Sequence, residues 1–152
     1  MKKSGYGVWG VVILLVVLGA QYLAQRYELA NGVNTAHDAA DDGSQVVRQA
    51  FEERRSKLWM EVQGRVTKML PDDNEGSRHQ RFLLAVGDNR TVLVAHNIDL
   101  AERIAMLRVD DVARIRGRYE WNDKGGVLHW THHDPRGNMQ GGWILHDGKT
   151  YR

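Results

Sequence analysis

The sequence predicts a mainly β domain behind an N-terminal apolar segment, and three observations predict it. Residues 4–25 contain no charged side chain. From Trp59 onward, apolar residues recur at every second position rather than at helical spacing. Clusters of Gly, Asn and Asp interrupt these alternating runs, as turns between strands do.

The apolar segment comes first. Val8–Leu18 reads VWGVVILLVVL, and a helix over residues 4–25 spans about 33 Å, enough to cross the hydrocarbon core. Lys2 and Lys3 precede it, which holds the N-terminus in the cytoplasm and sends the rest across. Residues 1–27 are therefore read as a transmembrane anchor. The alternative is a signal segment cleaved near Val17-Leu18-Gly19.

Residues 28–58 read as a linker and a short amphipathic helix. The linker, NGVNTAHDAADDGSQ, is small and polar. A helix over Val46–Leu58 would place Val47, Ala50, Phe51, Arg54 and Leu58 on one stripe, with Asp42 and Gln45 at capping-box spacing before it.

Residues 59–152 then alternate as strands. Val62, Gly64 and Val66 share one face, and Asp72–Gly76 turns the chain. Gln80, Phe82, Leu84 and Val86 form the next inward set, followed by a turn at Gly87-Asp88-Asn89 and a strand over Thr91–His96. Leu100–Leu107 has helical spacing. Val112–Trp121 sets Ala113, Ile115, Tyr119 and Trp121 against Arg114, Arg116, Arg118 and Glu120, and Asn122–Gly126 turns into Val127–Thr131. Three strands, a short helix and two more strands is the order of a small five-stranded OB-like β-barrel. Mid-strand Gly64 and Gly117 suit its tight coiling. A half-open sandwich is the alternative.

Composition narrows the chemistry. The chain has 152 residues, a formal charge of +2 and no cysteine. Disulfides, thiolate zinc sites and cysteine nucleophiles are excluded, and any metal would need His, Asp, Glu or backbone oxygen. Three of the seven histidines fall in one short stretch, HWTHHDP. Neutral imidazole binds metal or moves a proton near neutral pH, and a carboxylate completes the shell.

One scheme assigns His129 and His133, with Asp134 or Asp99, to hold a divalent ion, zinc or magnesium. His79 or His96 would move the proton and Arg81 would grip a phosphate. His132 and His146 stand behind these. The strand alternation turns Leu128 and Trp130 inward, puts His129, Thr131 and His133 on the opposite face, and brings His132 and Asp134 out at a rim before Pro135. Arg114, Arg116 and Arg118 form a basic ridge with about 6.8 Å between neighbours, a spacing suited to the phosphates of an extended strand. By parity, however, Tyr119 and Trp121 lie on the other side of that strand, so charge and stacking would not cooperate, and a solvated or salt-bridged ridge is the competing reading.

Four blocks, LPDDNEGSRHQRFLL, VAHNIDLA, GRYEWNDKGGVLHWTHHDP and GGWILHDGKTY, resemble the signature segments of a bacterial family of small exported proteins catalogued as a domain of unknown function. The resemblance covers about Val62 to Tyr151. It implies an OB-like barrel behind a signal or anchor segment, and it brings no activity with it. The expected location is the bacterial inner membrane, with the N-terminus in the cytoplasm and the domain in the periplasm, or secretion after cleavage.

Three functions compete on this reading. One is metal-assisted hydrolysis of a phosphodiester such as nucleic acid. Another is a non-catalytic module binding nucleic acid, another polyanion, oligosaccharide or a protein partner. The third is a metal-binding envelope protein.

Overall fold

The computed structural model describes residues 20–23, 26, 43–87 and 90–152. The expected anchor, most of the linker and the tip of the Gly87-Asp88-Asn89 turn lie outside the described residues. Among those described, no helix is long and apolar enough to cross a membrane. The chain divides into two compact units, Met1–Asp38 and Ala39–Arg152, and every described strand belongs to the second.

That unit is mainly β. Among the described residues, seven strands run as β1 (Leu58–Asp73), β2 (His79–Val86), β3 (Arg90–Asn97), β4 (Val112–Glu120), β5 (Val127–His129), β6 (Trp143–His146) and β7 (Lys149–Tyr151). The hydrogen-bonded order is β1-β2-β3-β5-β4-β6-β7, and β1 also pairs with β4. Five strands therefore form a ring, with the β6–β7 hairpin added beside it. The first half of β1 pairs with β4 from Leu58↔Tyr119 to Arg65↔Val112, and its second half pairs with β2 from Arg65↔Ala85 to Asp73↔His79. The strand bends where it changes partner. Gly64 sits at that bend, and a Cβ there would collide with the carbonyl oxygen of Ala85.

The alternation read from the sequence holds in the ring. Val62, Val66, Phe82, Leu84, Val92, Val94, Ala113, Ile115, Tyr119 and Leu128 are buried inside it. The turn at Asn122–Gly126 forms as expected, with the Asn122 side chain accepting from Lys124 N and Gly126 N at 2.9 Å each. Beyond the five expected strands, Asp147-Gly148 adds the β6–β7 hairpin, with φ of 47° and 72° at its two turn residues.

Two helical expectations need correction. The helix before β1 occupies 43–52 rather than Val46–Leu58. Val47 and Ala50 enter the core, but Arg54 is left-handed (φ 53°) and exposed, its guanidinium 5.5 Å from the Trp121 ring centroid. Leu58 already belongs to β1.

Residues Leu100–Leu107 form turns, not a helix. The segment still closes the ring, because Ile104 and Leu107 are buried. A non-helical plug satisfies little of its own backbone, here only through Leu107 N donating to Ile104 O at 3.4 Å among the described residues, and side chains of the ring strands add to it. Gln80 accepts from Ile104 N at 2.9 Å and donates to Ile104 O at 3.0 Å. His96, opposite Gln80 in the β2–β3 register, reaches Glu102 O at 3.1 Å. Two inward polar side chains thus replace the hydrogen bonds that a helix would have made.

Candidate functional site

The histidine-rich stretch leaves the sheet. β5 pairs with Arg118–Glu120 and β6 with Ala113–Arg116 on the same edge of β4, so only Gly117 separates the two pairings. Residues 130–142 therefore depart from one strand line and rejoin it almost where they left, as an Ω-loop does. Gly142 N donates to His132 O at 2.8 Å at the neck. A Cβ on Gly142 would run into the carbonyl oxygens of Trp130 and Arg116.

This excursion overturns the expected facing. β5 ends at His129, and Trp130 takes φ 54°, which breaks the two-residue alternation. Thr131 and His132 are buried instead of facing out, and Trp130 is partly exposed instead of facing in. The Trp130 ring stacks on His132 with centroids 5.3 Å apart and meets His129 edge-on at 6.5 Å. Pro135 lies well beyond the strand end.

Of the expected proton carriers, His96 is sealed. It is fully buried, Nδ1 lies 2.8 Å from Thr131 Oγ1, and Nε2 lies 3.1 Å from the Glu102 carbonyl. A carbonyl can only accept, so Nε2 carries the hydrogen and Nδ1 accepts from the threonine hydroxyl. Burial holds its pKa below the usual histidine value, against the pull of the Glu102 hydrogen bond. This is a structural imidazole. His79, at the start of β2 opposite Asp73 and Asn97, is partly exposed, and its charge would weigh on His96, His129 and Asp99. Arg81 is tied to β1, donating to Pro71 O at 3.1 Å and facing Asp73 at 3.7 Å.

Two of the four expected metal ligands, Asp134 and Asp99, are engaged elsewhere. Asp134 accepts from Arg136 N, Asn138 N and Met139 N at 2.8–3.0 Å, and those amides hold its pKa down. It caps the loop tip. Asp99 takes both the backbone N–H and Nε of Arg78 at 2.7 Å, which depresses its pKa in the same way. His133 is exposed on the excursion. Buried His132 donates Nδ1–H to His133 O at 2.7 Å.

His129 Nε2 lies 3.6 Å from Glu120 and has no hydrogen-bond partner, and burial lowers its pKa. His146 bonds Asp111 at 2.8 Å, beside a 370 Å³ surface cavity lined by Met106, Arg108 and Val112 among others. His79 lies near enough for its charge to weigh on both His96 and His129. Among the described residues, however, no three His, Asp or Glu side chains are grouped to hold an ion.

A different juxtaposition was invisible in the sequence. Directly opposed residues of antiparallel strands share a face. The β1–β4 register opposes Trp59 to Arg118 and Glu61 to Arg116, and the β4–β6 register opposes Arg116 to Trp143 and Arg114 to Leu145. Trp59 and Trp143 therefore flank the arginine ridge on its own outer face, one on each side. From sheet spacing their Cα atoms are roughly 12 Å apart. Both indoles are partly exposed.

Parity within β4 correctly put Tyr119 and Trp121 on the other side of that strand. It could not show that neighbouring strands supply two more rings. The ridge is also largely compensated, because Arg114 pairs with Glu61, and Arg118 pairs with Glu120 at 3.3 Å. Arg116 makes no ion pair among the described residues.

The fold and this surface define a small mainly β domain built on a five-strand ring, with an aromatic and basic outer face on β1, β4 and β6. The chain belongs to the family described as "Protein of unknown function (DUF3465)", whose model matches residues 28–152. No curated protein matches the chain.

Proposed function

We propose that this domain is a non-catalytic binding module, an OB-like barrel that lays an extended oligomer across the outer face of β1, β4 and β6. The observation that carries the reading is the register that sets Trp59 beside Arg118 and Trp143 beside Arg116, on opposite edges of β4. Partly exposed rings beside polar side chains give a flat surface with both apolar area and directional hydrogen bonding. The ring order β1-β2-β3-β5-β4, with β1 shared between β2 and β4, supports the OB-like reading. The uncharged stretch before Arg26 supports an anchor that holds the module at the outer surface of a bacterial inner membrane.

A metal-assisted hydrolase is less well supported. Its scheme needs Asp134 or Asp99 free to complete the ion's shell, and both are already bonded within the fold, as is His96, one of its two proton carriers. The full chain is incubated with a chromogenic phosphodiester and with plasmid, in magnesium, zinc or chelator. The expected result is no turnover above background. Chelator-sensitive turnover that disappears in His129→Ala would replace the binding reading with the catalytic one.

A further inference from the structure

Resting on that binding reading, we infer that the oligomer is a glycan of low charge rather than a nucleic acid, with Trp59 and Trp143 as platforms for sugar rings. Charge decides between the two. A single-stranded nucleic acid is held by neutralising its phosphates, and each neutralised phosphate contributes about −0.7 to the slope of log affinity against log salt. Arg114, Arg116 and Arg118 of β4 and Arg65 of β1 project from this face, but Glu61 and Glu120 project from it as well and pair with two of them. Roughly two positive charges are left, on Arg116 and on Arg65, whose guanidinium already donates to the Asp110 carbonyl at the end of the ridge. A polyanion would gain little here and would meet two carboxylates.

For a sugar the same groups are assets. The Arg114–Glu61 and Arg118–Glu120 pairs hold donors and acceptors at fixed positions beside flat rings. Gln63, opposite Arg114, adds an amide. Hydroxyl groups need such alternating donors and acceptors, and the apolar face of a sugar ring covers an indole. The roughly 12 Å between the platforms leaves room for an intervening residue of the oligomer over Arg116.

The test uses the full chain in a detergent without a sugar headgroup. It is titrated by calorimetry and tryptophan fluorescence with hexasaccharides of β-1,4-linked glucose and of β-1,4-linked N-acetylglucosamine, and with a twelve-nucleotide oligothymidine. At least one glycan is expected to bind, changing less than about twofold between 50 and 500 mM salt. Trp59→Ala and Trp143→Ala should each weaken it tenfold or more. Trp59→Phe and Trp143→Phe should retain most binding, which separates loss of a platform from loss of fold.

If neither glycan binds at 5 mM while oligothymidine binds and is lost in the alanine variants, the glycan inference falls and the module reading stands. If all three ligands fail to bind, both fall. Glycan binding unaffected by either alanine variant would overturn the assignment to this face.

Discussion

Replacing Gln80 by Leu tests the plug that closes the ring beneath residues 98–111. Gln80 is 1 % exposed and fills both hydrogen-bonding positions of Ile104 with one amide. Leucine has nearly the same volume and no polar atom. It leaves the Ile104 N–H without a partner, at about 1–3 kcal/mol, and takes one bond of about 1 kcal/mol from the Ile104 C=O, which keeps only the 3.4 Å bond from Leu107 N. The added apolar surface returns about 1 kcal/mol, so the net loss is about 1–3 kcal/mol. For a domain of this size each kcal/mol lowers Tm by roughly 4 °C, giving a fall of about 4–12 °C. Urea unfolding gives the free energy, and amide exchange at Ile104 shows whether the plug opens locally at lower cost than global unfolding. A loss under 0.5 kcal/mol with Ile104 still protected would refute the claim that side chains replace helical hydrogen bonds here.

Two further outcomes are expected. Because burial depresses the His96 pKa, the folded state binds fewer protons there than the unfolded chain. Its stabilising contribution is complete above the unfolded pKa, about 6.5, and is lost as pH falls from there toward the folded value, at up to about 1.4 kcal/mol per pH unit. Thermal melts from pH 8 to 5 should show this slope in the native chain and a flatter one in His96→Gln, whereas parallel curves would remove His96 as the cause. Gly142→Ala should cost about 3 kcal/mol, since its methyl group meets two backbone oxygens at the loop neck. Gly137→Ala, at φ 65° with open space around it, should cost only about 1 kcal/mol, and equal urea midpoints for the two would contradict the tight neck.

The sequence by itself determined the local features. Alternation in Val62–Val66, Gln80–Val86 and Ala113–Tyr119 marks buried strand faces because a pleated strand turns every second side chain inward, and the inward members are buried, with Gly64 half-buried at the bend, while Leu83, Ala85 and the other alternate residues face outward. The Asn122–Gly126 turn was legible because the asparagine side chain bonds its own neighbours.

Tertiary structure decided the rest, because partners far apart along the chain are set by register and not by local pattern. Leu100–Leu107 carries helical spacing, yet Gln80 and His96 satisfy its backbone in another shape. HWTHHDP reads as one strand end until Trp130 turns left-handed and the chain loops out opposite Gly117. Trp59 and Trp143 become neighbours of Arg118 and Arg116 only because β1 and β6 lie on opposite edges of β4.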